Sequence, residues 1–414
     1  KFAAVYGANA AGKSNLVRAM EFMQRIVLLG LPEGHTDKYC KISEDNKEKE
    51  SYFEMEIMLG EKYYAYGFEL ILNQSEFISE WLVELTADNK ENLIFSRDIR
   101  KGIYKFGNSV KTKGLIDKLD VYAEDIQEDS SVLLLSIMNQ NKKTLYQQYK
   151  DAAVFQDVYQ WIRMGLDINY PDRPISDYSY MADTENVEEV CRIISAFGTG
   201  ITGFKMVKVP IEKVLGHLPK EIRDDLVANI EKKTIELKSN KKVKSFGIIM
   251  RSNRDFFIVD LDKDNNITCR TIKFSHGKEN ILFNLSEESD GTVRILDLLE
   301  VLLSRKGKTY VIDELDRCLH PSLTYKFVDT FLQLAEQKDI QLIVTTHESR
   351  LLDFDLLRRD EIWFVNKRKT GESDMYSLEE YNARFDQKID KAYLEGRYGG
   401  VPVFSTVFPI KEEE

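Results

Sequence analysis

The 414-residue chain has few of the features that mark a membrane, secreted or metal-scaffolded protein. No stretch approaches the ~20 uninterrupted apolar residues needed to cross a bilayer, so a membrane-spanning helix is excluded. Cysteine is sparse: Cys40, Cys191, Cys269 and Cys318 are scattered, without a C-x-x-C pair or a Cys/His cluster. A disulfide framework wants denser spacing in a smaller secreted chain, and a zinc site wants paired ligands. Four reduced thiols in a cytoplasmic protein are expected instead. No H-E-x-x-H, HNH-like pattern or Cys–His nucleophile arrangement is present, so no second catalytic centre is recognisable. Repeats of 20–50 residues and low-complexity linkers are missing too. Positive charge is outweighed, with 58 Lys and Arg against 69 Asp and Glu and a net charge of −11. That balance argues against a nonspecific nucleic-acid coat while leaving room for a local basic groove. The chain opens Lys1-Phe2, without an initiator Met or a signal-peptide pattern, and the natural N-terminus is expected upstream.

What is present is decisive near the start. Phe2–Tyr6 (FAAVY) reads as a short apolar strand, and Asn15–Leu29 reads as a helix. Between them lies GANAAGKS, Gly7 to Ser14, which is the G-x-x-x-x-G-K-S phosphate loop in its strand-to-helix context. Glycines let successive N–H groups turn toward phosphate oxygens, and the helix start adds partial positive charge. In this pattern Lys13 reaches the β- and γ-phosphates and Ser14 ligates Mg²⁺.

Three more motifs follow in order. Leu285–Leu303 carries Ser289-Asp290-Gly291-Thr292 at the opening of an apolar helix, where hydroxyls and free N–H groups suit an anion, although a plain N-cap reads the same way. KTYVIDE, Lys308 to Glu314, is a buried strand ending in two carboxylates. Asp313 can hold the Mg²⁺ shell and Glu314 can polarise water, whereas many buried strands simply end in an acidic turn. QLIVTTHES is a second buried strand, ending at His347 where a γ-phosphate sensor would sit.

Between these motifs, Ser51–Phe106 alternates as an antiparallel meander with turns at Gly60-Glu61 and Asn73-Gln74. Helical spacing runs from about Gly114 to Leu166, with further helices at Asn186–Phe197 and Lys220–Leu237. A second strand group covers Lys244–Lys273. The expected organisation is a first ATPase lobe at 1–140, a helical and β insertion at 141–275, and a second lobe at 276–414. D-L-D-K-D-N-N at Asp260–Asn266 reads as a hairpin turn, because a calcium loop would need Glu where Thr271 stands. Basic clusters at Lys232-Lys233, Lys238–Lys244 and Lys367–Lys369 read as solvated surface, or as a groove facing DNA or an effector. The apolar YLEGRYGGVPVF tail should dock on the head or on a neighbouring subunit.

The order of phosphate loop, Ser-x-Gly helix, hhhhDE and TTH resembles ABC-type ATPase heads of the RecF and structural-maintenance-of-chromosomes kind. ESDGTVRILDL, DELDRCLHP, TTHESRLLD, LRRDEIWFV and YLEGRYGGVP are similar to AAA-labelled ATPases of bacterial abortive-infection and phage-defence loci, such as AbiL-type, PARIS and retron-associated ATPases. The fold implied is α/β: an ABC-type P-loop ATPase head with an antiparallel β subdomain and a helical/β insertion. The resemblance implies ATP and Mg²⁺ as ligands. Asn9, Ala10, Ala11, Gly12, Lys13, Ser14 and Asn15 would bind phosphates, Ser14 and Asp313 the metal, Glu314 the water and His347 the γ-phosphate. Ser289 and Gly291 of a second copy would close over the same phosphate, and Asp316 would couple the two sites. Gln140 matches the metal-sensing Gln of such heads or is an ordinary polar residue ending a helix. LSEESDGT lacks the Leu-Ser-Gly-Gly-Gln string of transporters. The resemblance further implies a homodimer or higher homo-oligomer, an operon-encoded effector (a nuclease or other toxin), and a DNA or phage-derived trigger. A RecF-like repair ATPase and an ATP-binding scaffold with little turnover are the alternatives.

Overall fold

A computed structural model of the protein describes residues 1–414 except 33, 35, 89, 177, 183–186, 217–219, 221–222, 225–227, 229, 231–244, 252–253, 263–265, 278–280, 304–306, 382–388 and 399–414. The chain divides into two compact units, each assembled from separated stretches. Val5–Ile168, Trp363–Tyr381 and Glu395–Glu414 form a loop unit, which carries the phosphate loop. Lys1–Ala4, Asn169–Ile362 and Asn382–Leu394 form an acid unit, which carries Asp313 and Glu314.

Strand β1 (Phe2–Gly7), which belongs to the loop unit from Val5 on, ends at the phosphate loop and the helix Lys13–Leu29 follows. Strands β2 (Ser51–Leu59), β3 (Lys62–Ile71), β4 (Glu76–Leu85), β5 (Glu91–Asp98) and β6 (Ile103–Phe106) make an antiparallel sheet in chain order. This is the expected meander, with Gly60 at φ +64° in the first turn. Phe22, Met23, Ile26 and Val27 of the helix share one core with Tyr66, Phe68, Leu82 and Phe95 of the sheet. Removing such side chains from water stabilises the fold by roughly 1.5–3 kcal/mol each. Helices Lys113–Glu124, Leu134–Met138 and Ala153–Gln160 complete that core. Glu80 and Arg97 lie wholly buried within it. Glu80 accepts from Leu134 N (2.7 Å), Leu135 N (3.1 Å) and Tyr66 Oη (3.0 Å), so its charge is met by donors.

The helical reading through about Leu166 holds to Gly165. The α-helix Ala153–Gln160 continues as a π-helix over Trp161–Gly165, and strand β7 (Leu166–Asn169) begins there. Gln24 of the phosphate-loop helix explains the change. Its amide donates to Ile162 O (2.7 Å) and Leu166 O (2.8 Å), satisfying carbonyls that the helix releases.

In the acid unit, strands β8 (Ile201–Val209), β9 (Ser245–Arg251), β10 (Phe256–Asp262), β11 (Ile267–His276) and β12 (Leu282–Asn284) form a second antiparallel sheet. β9 to β11 match the expected strand group, while β8 is additional and pairs with β11. The helix Asp290–Leu303 is buried nearly all round and precedes β13 (Lys308–Ile312). Helix Pro321–Ala335 then returns the chain to β14 (Ile340–Thr345), which lies parallel to β13 with Ile312 opposite Val344. After the acid unit, β15 (Ile362–Lys367) and β16 (Ser373–Ser377) pair antiparallel. Among the described residues no helix is long and apolar enough to cross a membrane.

Candidate functional site

The phosphate loop is shaped by backbone. Gly12 stands at φ +115°, where a Cβ would lie 2.7 Å from Ser373 Oγ, so glycine is required twice over. Ala10 also takes a left-handed φ of +62°. Ser373, at the start of β16, donates its hydroxyl to Ala11 O (2.6 Å) and clamps the loop from outside its own sequence. Val5, Ala11 and Val365 form the apolar floor. Lys13 is 7% exposed, and its ammonium donates to Gly7 O (2.8 Å) and Ala8 O (3.3 Å), curled within the loop. The helix behind it has no acidic residue in its first turn and no capping side chain. Its first N–H groups and their partial charge therefore suit an anion. Asn9 and Ala10 are exposed, Asn15 is exposed, and Ser14 is half-buried. The loop fits a phosphate chain.

The acidic half lies at the carboxyl ends of two parallel strands, where open α/β sheets place ligands. One hydroxyl organises it. Thr345 Oγ1 donates to Asp313 Oδ1 (2.6 Å) and accepts from Glu314 N (2.8 Å). Asp313 is 4% exposed, while the Glu314 side chain is 46% exposed and stands 3.8 Å from Arg317. Glu314 adopts φ +51°, a conformation that costs a non-glycine residue about 1–2 kcal/mol. Asp316 Oδ1 accepts from Thr346 Oγ1 (2.6 Å) and from His347 N (3.2 Å), so the residue expected to couple sites is tied to the histidine strand end. His347 is exposed.

The Ser-x-Gly helix belongs to the same unit. Ser289 Oγ accepts from Thr292 N (3.1 Å), which is N-cap geometry, and the serine is exposed. A Cβ on Gly291 would stand 3.0 Å from Cys318 O, tighter than ordinary contact, so the helix start lies close against the turn after Glu314. Arg294, one turn on, is 7% exposed and donates to Glu314 O (3.0 Å).

The structure thus joins Asp313, Glu314, Asp316, His347, Ser289 and Gly291 within one unit, and Asn9 to Asn15 within the other. Gln140 is exposed in the loop unit, just past the helix Leu134–Met138. Ser373, Thr345 and Arg294 were not singled out by sequence. Thr345 opens the TTH motif and Arg294 is a cation inside an apolar helix three residues from Asp297, whereas Ser373 carried no signal. Asp260 pairs with Arg270 at 2.7 Å, in keeping with a hairpin, while residues 263–265 of that turn lie outside the described residues. The clusters Lys232-Lys233 and Lys238–Lys244 also lie outside them. In the third cluster Arg368 is bonded to Asp374 and lies 3.7 Å from Glu372. The tail is seated as far as Tyr398, which is buried and stacked on Phe364 at 5.6 Å, and residues 399–414 lie outside the described residues. Among the described residues no group of three His, Cys, Asp or Glu could hold a metal ion. The Ser14 hydroxyl in the loop unit and the Asp313 carboxylate in the acid unit are each oxygen donors of the kind Mg²⁺ takes, since that ion usually binds one or two protein oxygens plus phosphates and water.

Residues 2–123 and 214–353, more than half of the chain, match the family described as AAA domain, putative AbiEii toxin, Type IV TA system. No curated protein matches the chain. Solved structures of SMC heads are similar to it over most of both chains. An SMC head bound to the C-winged helix domain of ScpA is 14% identical with a TM-score of 0.31, covering 92% of this chain and 91% of that one. The SMC head domain from Thermotoga maritima is 12% identical at 0.25, covering 90% and 89%. An Smc head with an extended coiled coil, bound to the C-terminal domain of ScpA and derived from Pyrococcus furiosus, is 13% identical at 0.27, covering 92% and 91%.

Proposed function

The chain belongs to the family described as AAA domain, putative AbiEii toxin, Type IV TA system, and on that premise we propose that it is the ATP-hydrolysing subunit of an anti-phage, abortive-infection system. The observation that supports nucleotide binding most strongly is the phosphate loop. It combines left-handed turns at Ala10 and Gly12, a buried Lys13, and a helix start free of acidic residues.

In this reading ATP and water yield ADP and phosphate. Residues Asn9 to Asn15 donate N–H groups to phosphate oxygens and Lys13 supplies an ammonium. Ser14 and Asp313 would hold Mg²⁺, which would neutralise phosphate charge. Glu314 accepts a proton from the attacking water, and His347 contacts the γ-phosphate. Ser289 and Gly291 of a second copy close over that phosphate, so ATP drives association of two heads, and Asp316 couples their sites. Gln140 would be the metal-sensing glutamine. The chain is read as lobes 1–140 and 276–414 around an insertion at 141–275. Head association controls a partner effector in the cytoplasm in response to an infection signal.

Glu314→Gln tests this reading. The substitution keeps shape but loses the base, which typically costs ~10²–10⁴ in rate. With ATP and Mg²⁺ the variant should retain nucleotide and accumulate as a dimer or higher assembly by light scattering. Parental turnover, or a mass that never changes with ATP, overturns the reading.

A further inference from the structure

A buried ionic cluster links the inserted sheet to the acidic turn. Arg251, at the end of β9, donates to Asp297 Oδ1 (3.1 Å) and to Tyr178 Oη (2.7 Å), with its guanidinium 4.4 Å from the Tyr178 ring. The side chains of Arg251 and Asp297 are 5% and 7% exposed. Burial pushes the Asp297 carboxyl up, opposed by Arg251, Tyr178 and Arg294. Burial likewise pulls the Arg294 guanidinium down, and Asp297 is the first group opposing it. A second grip lies nearer the helix start. Arg254 donates to Glu288 O (2.7 Å) and is bonded to Asp290, while His276 Nε2 and Glu288 Oε1 are 2.8 Å apart.

The carbonyl at the end of this cluster has a donor of its own within the turn. Glu314 O already accepts from Arg317 N (3.1 Å), as the local turn demands. The bond from Arg294 is additional and comes from the helix that carries Ser289 and Gly291. Taking a guanidinium out of water costs several kcal/mol, and an apolar side chain of similar volume would fill the space more cheaply. Arg294 also acts on the one residue of the pair held at a left-handed φ. Its bond fixes the peptide from which the exposed Glu314 carboxylate projects.

We infer that Arg294 is a positioning residue for Glu314, carried on the helix that Arg251 grips through Asp297, and that it ties the Ser289-x-Gly291 helix and the inserted sheet to the water-orienting carboxylate of the same chain. This rests on the ATPase reading above. A partner that displaces β9, or a second head that engages Ser289, would thereby alter turnover without touching the phosphate loop.

The test uses the full chain and measures ATP affinity by calorimetry, turnover, melting temperature and ATP-dependent mass. Arg294→Met should leave affinity within about twofold and lower kcat about ten- to a hundredfold, the scale of one charge-assisted hydrogen bond. It should also accumulate the ATP-bound assembly, as Glu314→Gln does. In a Glu314→Gln background the same change should alter the residual rate by less than about twofold, since coupled residues are non-additive. Should Arg294→Met fail to fold, Arg294→Gln replaces it with the same expectation. Parental kcat, or a loss of affinity and melting temperature in step with kcat, overturns the inference. Parental turnover in Glu314→Gln alone overturns the ATPase reading instead, so the two failures are distinguishable.

Discussion

In the loop unit, neighbouring residues of one short segment build the phosphate-binding shape: left-handed Ala10 and Gly12, and Lys13 folded onto Gly7 O and Ala8 O. In the acid unit, side chains from three elements build the acidic turn, with Thr345 from β14, Arg294 from a helix and Asp313-Glu314 after β13. A site made mainly by local backbone geometry depends most on its own residues, with Ser373 adding a clamp from outside. A site made by long-range side-chain bonds can be detuned from a distance while its carboxylates remain intact. The two halves should therefore respond differently to substitution.

The largest effect should come from Lys13→Ala. Truncating one partner of a buried charged contact costs about 2–5 kcal/mol, and nucleotide binding should fall below detection in a calorimetric titration. The acid unit should keep its folding, read as an unchanged cooperative melt. Near-parental affinity would dissolve the comparison, because the loop would not be the binding element.

Ser289→Arg should separate binding from turnover. Ser289 is exposed, so Arg can be accommodated there, and the fold loses only the N-cap bond to Thr292 N, about 1 kcal/mol. Bulk and charge at the face that meets a second head in the proposed reading should leave ATP affinity intact and lower kcat about a hundredfold, about 2.7 kcal/mol in the barrier. A parental rate would show that each head works alone.

The smallest effect should follow Thr345→Val, which removes one hydroxyl and little volume. Asp313 Oδ1 and Glu314 N then lose their shared partner, costing about 1–3 kcal/mol of stability by denaturant unfolding. Turnover should fall with a normal affinity for ATP. A drop in affinity as large as that of Lys13→Ala would mean that the halves do not divide binding and turnover in this way.

Legibility in sequence followed the same division. Gly7 to Ser14 is contiguous, and its chemistry is written in residue types that few other contexts require together. The meander from Ser51 to Phe106 was readable because each strand pairs with the next in the chain. Strand β8 was missed because its partner β11 lies far along the sequence, and the π form of the helix at Trp161–Gly165 was not legible because it depends on Gln24. Ser373 reaches Ala11 across 362 positions, and no local pattern announces such a bond.

The sequence by itself determined the phosphate loop, the acidic strand end, the terminal histidine and the α/β character, since each depends on short-range propensity or on a run of adjacent residues. Tertiary structure alone decided that Thr345 bridges Asp313 and Glu314, that Arg294 reaches the Glu314 carbonyl, and that Arg251 holds Asp297. Those bonds join groups remote in the chain. Burial strengthens them and makes leaving either partner unpaired costly, so they form only where packing has already excluded water.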